Sequence, residues 1–295
     1  MNNHQRGYTL IELMISMLLG LTLIAGFGSL FVQTQKTATI QRSLSYMMED
    51  GRYIQEVFGK ELRRAGFLRN KLDITGQGGA NDVFPAEPDA LGSGLNFPAS
   101  DYIKGDYDSA GFGATVDKPY NINLLILRYQ LNDATELAAD DPSSDNSPCT
   151  RDIHLEVGED PAINRHVVML YFYVALDTSS VPVLYCKTER QDLDDSSKNK
   201  SSAAEPLISN VQRLVIVYGI DSDADGSANY YTDADNVTNW QQVVAARLSV
   251  VLRSEDDNLT TTSVSYDVDG TTYTPTDKRL YRVYSTTIAL RNSIK

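Results

Sequence analysis

The chain has 295 residues, 42% of them hydrophobic and 22% charged, which allows one large or two small domains and excludes a disulfide mini-protein, a collagen-like fibre and a wholly disordered chain. Acidic residues outnumber basic ones 39 to 26, the net charge is −13 and no Lys/Arg run exceeds a pair, so the bulk of the fold is a poor binder of nucleic acid or anionic lipid. Three histidines and two cysteines leave little material for a histidine-based triad, a zinc site or an iron–sulfur cluster.

The chain opens MNNHQRG and continues YTLIELMISMLLGLTLIAGFGSLFV. After Glu12 the next charge is Lys36, and residues 13–32 are almost wholly apolar. About twenty helical residues span about 30 Å, the thickness of a bilayer's hydrocarbon core, so a membrane-spanning helix is expected. Arg6 ahead of it favours a cytoplasmic N-terminus, with the rest of the chain on the other side. The plainer reading is a secretory signal peptide cut near Ala25 or Gly28. Against it, the apolar run is longer than a usual signal core and carries a carboxylate, Glu12, near its start. An acid in an apolar segment is expensive, and by default it has a function and a partner.

The stretch Arg6-Gly7-Tyr8-Thr9-Leu10-Ile11-Glu12-Leu13-Met14-Ile15-Ser16 resembles the class III signal of type IV pilins and pseudopilins. That signal is a short basic leader ending in Gly, then an aromatic-T-L-[IV]-E-hydrophobic core. The resemblance implies a prepilin peptidase that cuts after Gly7 and methylates the new N-terminal Tyr8. Residues 1–7 are then a leader; His4 leaves with them, and loss of the one charge Arg6 takes the net charge from −13 to −14. In a filament of packed apolar helices, Glu12 of one subunit would meet the ammonium of Tyr8 on its neighbour and so set the axial register. Tyr stands at position 8 where Phe is commoner, and the mid-segment proline of many major pilins is absent. Gly20, Gly26 and Gly28 offer similar softness.

Past residue 36 the apolar positions are Ile40, Leu44, Met47, Met48, Gly51, Ile54, Val57, Phe58 and Leu62. Their spacing of three and four predicts an amphipathic continuation of the helix, with Gly66 as its stop. A helix over 8–64 would be about 85 Å long. The expected division is 8–35 for the transmembrane and filament-core half, 36–65 for the amphipathic half, and 66–295 for an exported β-rich domain. Residues 71–119, rich in Gly, Pro, Asp and Asn, read as a long irregular connection holding at most a short strand.

Strands are expected over 122–130, 166–176, 181–187, 207–219, 243–253 and 279–291, with polar turns at 132–148, 188–204, 221–240 and 254–277. Ala246, Leu248, Val250 and Leu252 alternate most clearly with polar neighbours. The fold class is α+β, one long N-terminal helix packed on an antiparallel sheet. Pilins share that plan. The segment ELRRAGF and the ending RVYSTTIALRN, closing on Arg291-Asn292, resemble those of PilW-type minor pilins. The runner-up is the larger, J-type minor pseudopilin of type II secretion.

Export would place Cys149 and Cys186 in an oxidising compartment, where one disulfide is expected and two buried free thiols are the alternative. The closed loop of about 38 residues is worth about 3–4 kcal/mol in the chain-entropy model. Asp221-Ser-Asp223-Ala-Asp225-Gly226 resembles the first half of an EF-hand-type calcium loop. The twelfth position is Thr232 instead of a bidentate Glu, so Asp233 and Asp235 are the candidates to complete a Ca2+ shell. The alternative is an acidic, solvated turn.

The resemblance implies a minor pilin acting in an initiation or tip complex, in support of motility, adhesion or DNA uptake. Its implied partners are the prepilin peptidase, other minor and major pilins, the inner-membrane assembly platform and a tip adhesin. The implied location is the inner membrane with a periplasmic domain, and afterwards the pilus. A membrane-anchored periplasmic enzyme is the contrasting class. The sequence holds no G-x-S-x-G, no H-E-x-x-H and no phosphate-cradling glycine loop, so no catalytic residue is expected.

Overall fold

The computed structural model describes residues 9–68, 84, 97–98, 100–106, 124–130, 149, 166–192 and 195–292. One helix, α1 (Leu10–Arg64), runs for 55 residues, about 82 Å at the α-helical rise. Its surroundings change along its length. Residues 10–38 are exposed, apart from a half-buried Gly20. From there Ser43, Met47, Gly51, Ile54, Phe58 and Leu62 are buried at steps of three and four residues, the expected stripe. Ile40, Leu44 and Val57 are half-buried. Met48, expected in the stripe, is 51% exposed instead. It lies one residue past Met47, and about 100° of helical rotation carries it off the buried face.

The helix ends where the sequence places a glycine. Gly66 has φ +76°, and a Cβ there would lie 2.7 Å from the Asn292 carbonyl oxygen and 3.1 Å from the Tyr102 ring. Left-handed backbone and close approach together call for glycine. The Gly66 N–H donates to the Arg128 carbonyl at 2.8 Å, which turns the chain onto the sheet.

The strands form two principal antiparallel sheets, not the one that the sequence suggests. In the first, β1 (Ile103–Asp106), β2 (Leu124–Gln130), β3 (His166–Leu176) and β4 (Pro182–Asp192) lie in order. The far edge of β4 is shared by β5 (Lys200–Ser201) and β6 (Glu205–Ser209). The second, containing β7 (Val211–Ile220), β8 (Tyr230–Thr232), β9 (Val243–Arg253) and β12 (Tyr281–Ala289), has the order β12-β9-β7-β8. A separate hairpin joins β10 (Tyr266–Val268) and β11 (Thr271–Tyr273).

Three differences from the sequence reading have clear causes. The continuous strand expected over 207–219 breaks at Asn210, whose φ of +63° sends β6 to pair with β4 and β7 to pair with β9. Asn tolerates that backbone, and the apolar pattern on either side hides the corner. β4 runs on to Asp192, into the turn expected over 188–204. The expected turn 254–277 contains the β10–β11 hairpin, closed by Asp269 (φ +47°) and Gly270 (φ +80°), a two-residue loop of the kind Asp-Gly favours. β1 is the short strand allowed for in 71–119, and β8 lies within the turn expected over 221–240.

The core lies between the sheets and the second half of α1. Leu125, Leu127, Leu170 and Phe172 of the first sheet share it with Leu214, Ile216, Leu248, Val250 and Ile288 of the second. Phe58 meets Phe172 edge to face at 4.8 Å between centroids. The opposite face of the first sheet is also covered, by a cluster of Leu124, Ile126, Met169, Tyr171, Tyr173 and Phe97. Burial of both faces explains why LLILRYQ and HVVMLYFYVAL read as apolar runs and not as alternation. Burial beside Tyr185 pushes the Tyr173 hydroxyl up to about 12.

Candidate functional site

Thr9 is the N-cap of α1 and Glu12 its N3 residue, and the two close a capping box. The Thr9 N–H donates to Glu12 Oε2 at 3.0 Å, the Thr9 hydroxyl donates to the same oxygen at 3.1 Å, and the Glu12 N–H donates to Thr9 Oγ1 at 3.3 Å. Thr-x-x-Glu therefore does local work in the single chain: it starts the helix and points the carboxylate toward the N-terminal end. Gly7 and Tyr8, the expected processing residues, lie outside the described residues.

Beyond this cap the helix presents apolar side chains in every direction. Leu10 is 76% and Phe27 68% exposed, and the most apolar 18-residue window has a mean hydropathy of 2.2. The segment is long and apolar enough to cross a membrane. A helix hydrophobic all round belongs in lipid or inside a bundle of other helices, since its own chain leaves it uncovered.

The other end of α1 is held by the end of the chain. Asn292 Nδ2 donates to the Arg63 carbonyl at 2.8 Å and to the Ala65 carbonyl at 3.4 Å. These carbonyls sit at the helix C-terminus, where backbone acceptors lack intrahelical partners. Nearby, the buried Tyr102 hydroxyl donates to the Val243 carbonyl at 2.5 Å, and burial beside Asp101 pushes its pKa far up. The two stretches that carry the PilW-type resemblance, ELRRAGF and the closing Arg291-Asn292, are thus the two sides of one contact. The pairing itself is not visible in the sequence; the polar residue that ends a strand is its only trace.

Midway along the helix, Gly51 lies against the Tyr284 ring, where a Cβ would come within 2.5 Å of ring carbon. Gln55 Nε2 donates to the Ser285 carbonyl at 3.5 Å.

The expected disulfide is present. Cys149 and Cys186 are bonded with Cα atoms 5.6 Å apart. The bridge is buried, and the Thr188 hydroxyl donates to the Cys149 carbonyl beside it, so residue 149 is held on β4 twice.

Asp221, Asp223 and Asp225 each offer a carboxylate oxygen within 4.8 Å of the others. Asp221 is buried, and its two oxygens accept from the Asp225 N–H at 3.2 Å and the Gly226 N–H at 2.8 Å. Ala224 and Gly226 take left-handed backbone to close this turn. Asp233 and Asp235 are not in the group. Asp233 Oδ1 instead accepts from the Asn236 N–H at 3.1 Å and caps the short helix Ala234–Asn236, and Asp235 sits in that helix's first turn.

The prokaryotic N-terminal methylation motif matches residues 2–28, the cap and apolar half just described. With one long apolar-headed helix laid on antiparallel sheets, it defines a type IV pilin-like protein. Residues 171–292 match the family model of the Type IV Pilus-assembly protein W, from inside β3 to the clamping Asn292. Within the pilin-like class the chain is of that PilW type. No curated protein and no solved structure matches it.

Proposed function

We infer that the chain is a minor pilin of type IV pili, processed after Gly7, methylated on Tyr8, anchored in the inner membrane by the first half of α1, and then drawn into an initiation or tip complex. The observation that carries this reading is the split helix. Residues 10–38 are uncovered and mostly apolar, while the following half is buried by the chain's own sheets. Such a surface is finished only by lipid and by other helices of the same kind. In this reading Glu12, held at the helix start by Thr9, pairs with the ammonium of a neighbouring subunit's first residue. The globular domain then stands in the periplasm and later on the pilus, in support of motility, adhesion or DNA uptake. The prepilin peptidase, other minor and major pilins, the assembly platform and a tip adhesin are its partners in this reading.

Two substitutions test it in cells. Gly7→Leu should leave the leader in place, so the chain stays seven residues longer than the processed form. Glu12→Ala should insert into the membrane and fold, yet lose incorporation into pili and co-purification with other pilins. An N-terminus found near residues 26–29 of the wild-type chain, or full incorporation of Glu12→Ala, would overturn the reading.

A divalent cation at the Asp221–Asp225 turn belongs to the same proposal, supported by the gathering of three carboxylates. Calcium takes six to eight oxygens, so backbone carbonyls and water would supply about half the shell. Calcium should raise the melting temperature by mass action, and Asp223→Ala should remove that rise. No change up to millimolar calcium returns the turn to an acidic loop.

A further inference from the structure

The sequence contains three Asn-x-Ser/Thr triplets: Asn199-Lys200-Ser201, Asn236-Val237-Thr238 and Asn258-Leu259-Thr260. Such triplets are the acceptor pattern for N-linked glycans on exported chains, provided that the asparagine amide is accessible. The fold separates the three. Asn199 Oδ1 accepts from the Asp192 N–H at 2.8 Å, which ties it to the end of β4. Asn236 Nδ2 donates to Asp233 Oδ1 at 2.7 Å, inside the capped turn. All three side chains are exposed, and that of Asn258 is the one whose amide makes no hydrogen bond through its oxygen or its nitrogen among the described residues.

The backbone around Asn258 presents it. Its φ is +61°, its N–H donates to Asp257 Oδ1 at 2.6 Å, and Asp257 Oδ1 also accepts from the Lys278 N–H at 2.9 Å. On the other side Leu259 is buried, and the Thr260 N–H donates to the Lys278 carbonyl at 3.1 Å. Both flanks are pinned and the asparagine is turned outward between them. Asp256, two residues before, adds a carboxylate to the same stretch.

Position along the molecule agrees. Asp256 lines an open cleft of about 570 Å³ with Thr39, Arg42 and Ser43 of α1. Thr39 is seven residues past Val32, about 10 Å along the helix from the end of the apolar segment. Asp256, two residues before Asn258, therefore lies at the end of the domain nearer the apolar segment.

We propose that Asn258 is an acceptor site for an N-linked glycan, delivered by a membrane oligosaccharyltransferase from a polyprenyl-diphosphate-linked oligosaccharide. Asn258 Nδ2 attacks the anomeric carbon, and the bond from that carbon to the diphosphate oxygen breaks. The polyprenyl diphosphate leaves with the electron pair, and the amide proton passes to a base of the transferring enzyme. The proposal rests on the exported placement inferred above.

The test is to produce the full-length chain in cells carrying a periplasmic oligosaccharyltransferase and its lipid-linked oligosaccharide, and to map tryptic peptides by mass. The peptide 254–278 holds Asn258 as its one asparagine. It should gain the mass of the oligosaccharide less one water. Asn258→Gln and Asn258→Gly should both abolish the gain, the second with no strain at a left-handed position. Thr260→Ser should keep it, and Asn199→Gln and Asn236→Gln should leave it unchanged. The Cys149–Cys186 disulfide in the same digest reports export. A formed disulfide with a bare Asn258 peptide, while a control acceptor in the same cells is modified, overturns the site. An absent disulfide with a bare peptide overturns the export reading and the site with it.

Discussion

Residues 10–38 and residues 39–64 belong to one unbroken helix, and what their side chains meet differs completely. In the second part Phe58 is 1% exposed and Leu62 fully buried, packed on both sheets. In the first, Leu21 is 68% and Phe31 64% exposed. The hydrophobic effect acts on both, yet only the second part contributes to the stability of the isolated fold. The first leaves its apolar area uncovered by its own chain, as membrane anchoring requires. Folding and assembly are thus separable along a single element, and substitutions should sort by position.

The largest effect should come from Phe58→Ala, which opens a cavity against Phe172 and should cost about 3–5 kcal/mol in denaturant unfolding of the chain in detergent. Phe31→Ala in the same assay should leave stability within about 0.5 kcal/mol. Equal losses would erase the distinction between the halves.

The disulfide sharpens the comparison from behind the helix. Cys186 lies opposite Phe172 in the β3–β4 register, so the bridge braces the strand on which Phe58 rests. Replacing both cysteines with serine should cost about 3–4 kcal/mol by the chain-entropy argument. Circular dichroism in detergent should show the first half of α1 still helical.

Glycine gives a milder contrast. Gly51→Leu forces the Tyr284 ring to move and should cost about 1–3 kcal/mol, partly recovered by adding Tyr284→Ala. Gly26→Ala meets nothing within 4 Å and should stabilise the helix by about 0.5–1 kcal/mol. The melting temperature of the domain should therefore fall for Gly51→Leu, while Gly26→Ala should leave it unchanged and raise only the helix content of the first half.

The smallest effect concerns Asp50, whose carboxyl is raised above its ordinary range first by burial and then by Glu49. A carboxylate raised on folding favours the native state when protonated, and that contribution is lost as pH rises through its folded pKa. Asp50→Asn should therefore raise the melting temperature slightly at pH 7 and leave it unchanged near pH 3.

The parts of this molecule legible in the sequence were those governed by short-range patterns. The helix, its stripe and its stop at Gly66 follow from the 3.6-residue period and one glycine. The strands β2, β3 and β9 follow from apolar runs and alternation. The tail of β4 was hidden because its inward residues are polar: Thr188 and Arg190 are fully buried, and Asp192 lies 3.8 Å from His166. A strand that buries polar groups reads as a turn. The β10–β11 hairpin carried its signal in Asp269-Gly270, short strands and all. The corner at Asn210 and the Asn292 clamp depend on contacts between distant parts of the chain. Of the candidate site residues, the pairing of Cys149 with Cys186 was legible, as was the closeness of the Asp221, Asp223 and Asp225 carboxylates. The exclusion of Asp233 was not, because its role as a cap appears only once the short helix forms.

The contacts between α1 and β12 advance together: Gly51 meets Tyr284, Gln55 meets Ser285, and Arg63 and Ala65 meet Asn292. Helix and strand therefore run side by side in the same direction. A pull on the N-terminal end of α1 loads this seam in shear along its length and does not peel it open from one end. β12 passes the load to β9 through nine paired positions, into the interior of the second sheet. Resistance to such a pull is set by the unfolding barrier and not by equilibrium stability. The amide of Asn292 is the last bolt on that seam, at the end farthest from the pull.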